Sequence, residues 1–163
     1  PRQSLNNPYT GAAAIFCSAI KNDTRPLIYE DGNQRRDFIH VRDLVRGKLL
    51  LLDHPDANDD IFNIGTGKPS SILDLAETLI ELCGKNFSPD IIYKFRNGDI
   101  RDCYADISKI KALGFAPELS LREGLKDLIA WSYSQEAVSR VGDAHQKLVE
   151  KGLVLETQPV ASK

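Results

Sequence analysis

Residues 60–83 open as Asp60-Ile61-Phe62-Asn63-Ile64-Gly65-Thr66-Gly67-Lys68-Pro69-Ser70-Ser71-Ile72-Leu73-Asp74 and run on through Leu75, Ala76, Leu79 and Ile80 to Cys83. The first five residues predict a short apolar strand, which Gly65-Thr66-Gly67 stops. Ser71 and Asp74 have the spacing of a capping box. The serine oxygen accepts from a free N–H of the helix start, and the acid accepts from the N–H of the cap residue. Apolar residues then fall at 72, 75, 76, 79, 80 and 83, a 3.6-residue period that puts them on one helix face. Strand, glycine turn and capped amphipathic helix, in that order, mark an α/β chain.

Downstream, 90–95 predicts a strand and about 106–113 a short helix ended by Gly114. Ser120-Leu121-Arg122-Glu123 is a second capping box, opening a helix with Leu121, Leu125, Leu128 and Ile129 along one side. A last amphipathic helix is expected over 137–150, with a frayed tail from Glu156. Upstream, 9–21 (YTGAAAIFCSAIK) predicts a buried helix, and 26–41 a hairpin. The hairpin's β-prone runs, Leu27-Ile28-Tyr29 and Phe38-Ile39-His40-Val41, flank a turn around Asp31-Gly32-Asn33. Residues 43–53 predict an amphipathic helix with Leu44, Val45, Leu49 and Leu52 apolar. So few short strands fall below a complete doubly wound domain, and a small α/β fold is expected.

The 163 residues carry 21 Lys+Arg and 23 Asp+Glu, a net charge of −2, with 42% hydrophobic residues. That is globular composition with room for a core. It lacks the basic surplus of a sequence-independent nucleic-acid binder. No apolar run approaches the roughly 20 residues of a membrane span. Cys17, Cys83 and Cys103 form no CxxC and lie near no paired histidines, so neither a disulfide framework nor a metal site is expected, and a reducing cytoplasm fits best. The sequence has no Met and opens on the polar run Pro1-Arg2-Gln3-Ser4, as a chain beginning mid-protein would.

Familiar catalytic patterns are missing. Gly65-Thr66-Gly67-Lys68-Pro69-Ser70 lacks the third glycine of a dinucleotide fingerprint and is stiffened by Pro69, so it reads as a tight turn. Four residues after Tyr9, Tyr29, Tyr93, Tyr104 and Tyr133 stand Ala13, Asn33, Asn97, Ser108 and Ala137, so there is no Tyr-x-x-x-Lys pair. His40, His54 and His145 share no motif. Arginines are better placed. Arg35 and Arg36 alternate across one strand, and Arg96 and Arg101 flank a turn containing Asp99. Two guanidinium groups from separate loop ends match the paired oxygens of a diphosphate, and a neighbouring acid suits a sugar hydroxyl. The competing reading is surface ion pairing, Arg36 with Asp37 and Arg101 with Asp102.

Pro1-Arg2-Gln3 with Asn7-Pro8-Tyr9, then Asp31-Gly32-x-Gln34-x-Arg36-Asp37-Phe38-Ile39-His40-Val41-x-Asp43, stand in a characteristic order. Phe62-Asn63-Ile64-Gly65-Thr66-Gly67, Gly98-Asp99-Ile100-Arg101 and Ala105-Asp106-Ile107-Ser108-Lys109 follow. Through these motifs, over residues 1 to about 133, the chain resembles the C-terminal half of the NAD-dependent epimerase/dehydratase family. These are extended short-chain dehydrogenases, and the likeness is to the UDP-glucose 4-epimerase and dTDP-L-rhamnose 4-epimerase branches. The fold this implies is an incomplete Rossmann-type α/β unit, mainly the small nucleotide-sugar-binding domain with a returning strand at 62–64. Residues 134–163, which the resemblance does not cover, are expected to form a helical extension and tail.

The resemblance also implies roles. Arg36 and Arg96 would grip the pyrophosphate of a UDP- or dTDP-sugar, and Asp99 would hydrogen-bond the ribose. Leu27 and Tyr29 would line the base pocket with Phe38 nearby, and Asn7 would touch the diphosphate or sugar. Asp43 reads as a cap of the following helix. The family's NAD site and catalytic residues lie in its N-terminal half. This chain is therefore expected to be the binding portion of a sugar 4-epimerase, not catalytic alone and holding no NAD by itself. Without that half, Phe62, Ile64 and the helix over 9–20 would lose cover, exposing an apolar surface through which copies could associate. The alternatives are a 4,6-dehydratase portion, or a noncatalytic interaction domain docking through Val138, Val141, Ala144, Leu148 and Val149.

Overall fold

The structure is a computed structural model in which residues 1–5, 10–96, 98–135 and 141–156 are described. In chain order the elements are α1 (Ala12–Lys21), β1 (Leu27–Ile28), β2 (Arg35–Arg36), α2 (Val41–Asp53), β3 (Ser70–Ser71) and α3 (Ile72–Leu82). They continue with β4 (Asp90–Ile91), β5 (Lys94–Arg96), β6 (Asp102–Cys103), α4 (Ser108–Ala112), α5 (Leu121–Ser132), α6 (Val141–Glu150) and β7 (Val154–Glu156). This is the mixed α/β architecture expected. No described helix is long and apolar enough to cross a membrane.

Both capping boxes form. Ser71 Oγ accepts from the Asp74 amide at 2.9 Å and Ser120 Oγ from the Glu123 amide at 3.3 Å, and each acid accepts from its cap's N–H. So anchored, α3 presents Leu75, Leu79 and Ile80 and α5 presents Leu125, Leu128 and Ile129 to one core, with Phe16, Cys17 and Ile20 of α1 and Ile28 of β1. Of the helix expected over 9–20, the described part, α1, is packed inside this chain rather than stripped of cover, because α3 and α5 close over it; Tyr9 lies outside the described residues. A smaller core gathers Ile107, Ile110 and Phe115, against which Phe62 and Ile64 are half-buried.

The expected hairpin does not form. β1 pairs in parallel with β4, Leu27 opposite Asp90, whereas β2 lies between β3 and β6. The split occurs at Glu30, where φ is 55° and the amide donates to the Lys94 carbonyl, turning the chain toward β5. Residues 37–40 form no second arm: the Asp37 carboxylate turns to the Thr66 and Gly67 amides, and His40 Nδ1 accepts from the Arg42 amide and starts α2. The strand expected over 90–95 is split into β4 and β5 beside Tyr93, whose φ is 52°. Residues 60–64 belong to no ladder among the described residues.

The structure corrects the role expected of Asp43 and orients α2. Its apolar positions Val45, Leu49 and Leu52 face solvent, with Leu52 78% exposed, and Val41 is exposed beside them. The buried positions are Gly47 and Asp43. A Cβ on Gly47 would meet Ile64 at 2.8 Å and Phe115 at 3.2 Å, so glycine is what lets the small core close on this helix. Asp43 does not cap the helix. Its carboxylate accepts from the amides of Glu118 and Leu119 at 3.0 and 2.9 Å and from Arg46 at 2.7 Å, tying α2 to the loop ahead of α5. Burial alone would raise the Asp43 pKa, but these donors outweigh it and hold the group below its ordinary value.

Candidate functional site

The end of β1 and the turn after β5 bring three of the expected residues together. The Arg96 guanidinium lies 4.9 Å over the ring of Tyr29, close enough for a cation–π contact. Its Nε donates to Asp99 Oδ2 at 2.7 Å. Arg96 and Asp99 nevertheless keep 45% and 30% of their side chains exposed, so the pair is open at the surface. The Tyr29 hydroxyl shares a 2.7 Å hydrogen bond with His145 Nδ1. Burial raises the pKa of Tyr29 against the opposing field of Arg96, so the phenol stays protonated at neutral pH.

Arg36 reaches the same loop from β2. Its Nη1 donates to the carbonyls of Arg35 and Arg101 at 2.8 and 3.0 Å, and its Nη2 to that of Ile100 at 2.6 Å. It thus fixes the backbone that carries Asp99. Leu27 and Phe38 are half-buried, and Phe38 packs against the larger core rather than beside Arg96. Asn7 lies outside the described residues.

The ion pairs expected from neighbouring residues take other partners. Arg35, not Arg101, holds Asp102 at 2.9 Å, because β2 and β6 run parallel with Arg35 opposite Asp102. Arg101 instead grips Asp31 at 2.7 Å and Glu30 at 2.5 Å, and that contact holds the Asp31 carboxyl well below the usual carboxylate range. Asp37 pairs with no arginine among the described residues: it accepts from the Thr66 amide at 2.8 Å, the Thr66 hydroxyl at 2.5 Å and the Gly67 amide at 3.0 Å. The roles of Asp37 and His145 escaped the sequence reading. Neither had a local signal: Asp37 meets the Thr66 amide across 29 residues and His145 meets Tyr29 across 116.

The mixed α/β layout of the fold places the chain with the Rossmann-like α/β proteins. A family model for the NAD dependent epimerase/dehydratase family matches residues 1–65. A putative UDP-glucose 4-epimerase of Methanocaldococcus jannaschii is 37% identical over 122 residues, 74% of this chain and 38% of that protein. A dTDP-L-rhamnose 4-epimerase of Burkholderia thailandensis is 36% identical over 132 residues, 80% of this chain and 36% of that protein. Among solved structures, the UDP-glucose 4-epimerase of Thermotoga maritima with UDP-glucose superposes with a TM-score of 0.75 at 34% identity, over 82% of this chain and 42% of its own. The chain belongs to the NAD-dependent epimerase/dehydratase family, and it spans about two fifths of the length of these relatives.

NAD, the cofactor in the family's name, needs a glycine turn whose amides are open to a pyrophosphate. Here the Thr66 and Gly67 amides already donate to Asp37. A Cβ on Gly65 would strike the Asp37 carboxylate and meet Ala105 Cβ at 2.8 Å. These glycines serve close packing, and the turn does not fit the cofactor.

Proposed function

We propose that this chain is the nucleotide-sugar-binding portion of an NAD-dependent sugar 4-epimerase. The observation that carries the reading is the Tyr29–Arg96–Asp99 cluster, exposed at the end of two strands and braced by Arg36 through the Ile100 and Arg101 carbonyls. A guanidinium suits the diphosphate, the tyrosine ring and Leu27 give surface for a base, and the Asp99 carboxylate can accept from a ribose hydroxyl. Relatives named as a UDP-glucose and a dTDP-L-rhamnose 4-epimerase match this chain in sequence, and a solved UDP-glucose 4-epimerase superposes on it. Oxidation at the sugar and return of the hydride are assigned to NAD and to the part of the relatives outside this match. The work of these residues is to hold the nucleotide diphosphate while the sugar turns.

Saturating UDP or dTDP is expected to raise the melting temperature. Ligand at a hundred times its Kd adds about 2.7 kcal/mol, which for a domain of this size is about 5–10 °C. Unchanged melting with both nucleotides would remove the binding role. We assign self-association to the exposed α2 face of Val41, Val45, Leu49 and Leu52. Light scattering should show dimers that Leu49→Glu converts to monomers, and a wild-type monomer at all concentrations refutes that assignment.

A further inference from the structure

Two contacts converge on the site from the end of the chain. α6 ends in a glycine turn: Gly152 has φ 65°, its amide donates to the Val149 carbonyl at 2.9 Å, and the Leu153 amide reaches the Leu148 carbonyl at 3.0 Å. This pair of bonds is a Schellman motif, which reverses the chain into β7. β7 then lies antiparallel on β5, with Val154 opposite Arg96 and Leu155 opposite Phe95. From α6, His145 bonds the Tyr29 hydroxyl, with the two rings 5.8 Å apart and inclined by 50°. The helix therefore holds Tyr29 and the strand holds the backbone of Arg96, the two residues whose side chains stack on each other.

We propose that residues 141–156 are a built-in wall of the nucleotide site, with His145 as its positioning residue. The inference rests on the binding role proposed above. His145 acts through Tyr29: fixing the hydroxyl fixes the ring, and the ring sets where the Arg96 guanidinium sits. The wall leaves the site open, since Arg96 and Asp99 remain partly exposed with β7 in place. That exposure favours a wall that assists binding over a strap that blocks it. A preorganised arginine also loses less rotamer freedom when a diphosphate arrives.

The test uses the full chain. Titration with UDP-glucose should show His145→Ala binding about fivefold more weakly, the scale of one net hydrogen bond. Tyr29→Phe, which keeps the ring and removes the hydroxyl, should weaken binding similarly. In that background His145→Ala should add nothing, whereas His145→Asn, with a polar atom near the Nδ1 position, should recover most of the loss. Hydrogen exchange without nucleotide should show slow amides in 94–96 and 154–156 that quicken in His145→Ala. Tighter binding by His145→Ala would make the segment an inhibitory strap and overturn the proposal. Unchanged affinity, or additive losses in the double variant, overturns it while the binding role stands. If the wild type binds no nucleotide, both fall, even where exchange shows the segment docked.

Discussion

Arg96→Ala is expected to abolish nucleotide-dependent stabilisation while leaving the melting temperature of the free protein almost unchanged. Charge-assisted hydrogen bonds from a guanidinium contribute about 2–3 kcal/mol, so affinity for UDP-glucose should fall about 30- to 150-fold. The folded state has little to lose, because the Arg96 side chain is 45% exposed and its ion partner Asp99 lies three residues away on the same turn. Exposed pairs of that kind contribute between nothing and about 1 kcal/mol. Arg96→Lys should be intermediate, keeping the charge but losing the planar group that stacks on Tyr29 and presents paired donors. Calorimetric titration and thermal melts on the same preparations separate the two effects. A large fall in melting temperature would mean that Arg96 is structural.

The second large effect concerns stability. Asp43→Ala should cost about 3 kcal/mol, lowering the melting temperature by about 10 °C. The carboxylate is 1% exposed and takes both the Glu118 and the Leu119 amides, so alanine strands two donors and frees the loop ahead of α5. Arg46 loses less, since it keeps Glu118 at 2.6 Å. The pH dependence follows from the lowered Asp43 pKa. Its stabilisation is fully present above the unfolded value of about 4 and is lost as pH falls through the lower folded value. Asp43→Asn should therefore be less stable than wild type at neutral pH, and the gap should close in acid. Urea melts from neutral pH down to about pH 2 would show it, and a gap of constant size would contradict it.

Local signals were legible in the sequence where their cause was local. Ser71 with Asp74 and Ser120 with Glu123 specify helix starts within four consecutive residues, and α3 and α5 begin where those boxes place them. Strand partnership was not legible. Leu27 and Arg35 are close in sequence, yet β1 takes β4 and β2 takes β6, because those ladders depend on packing of distant segments. On α2 the apolar period was legible in the sequence, but the way it faces was not. Periodicity marks a face without saying which body it meets, and here the small core meets Gly47, Leu50 and Leu51. The site followed the same division. Arg96 and Asp99 share one turn and could be paired from the sequence, whereas Tyr29 and His145 meet across 116 residues and could not.

The most direct measurement of the binding role is calorimetric titration of this chain with UDP-glucose, UDP and glucose 1-phosphate in parallel. Recognition through Tyr29, Arg96 and Asp99 predicts saturable binding of one UDP-glucose or one UDP per chain, and far weaker binding of glucose 1-phosphate, which lacks both the nucleoside and the diphosphate. Absence of saturable binding by either nucleotide at millimolar concentration, or nucleotide binding that Arg96→Ala leaves intact, would contradict it.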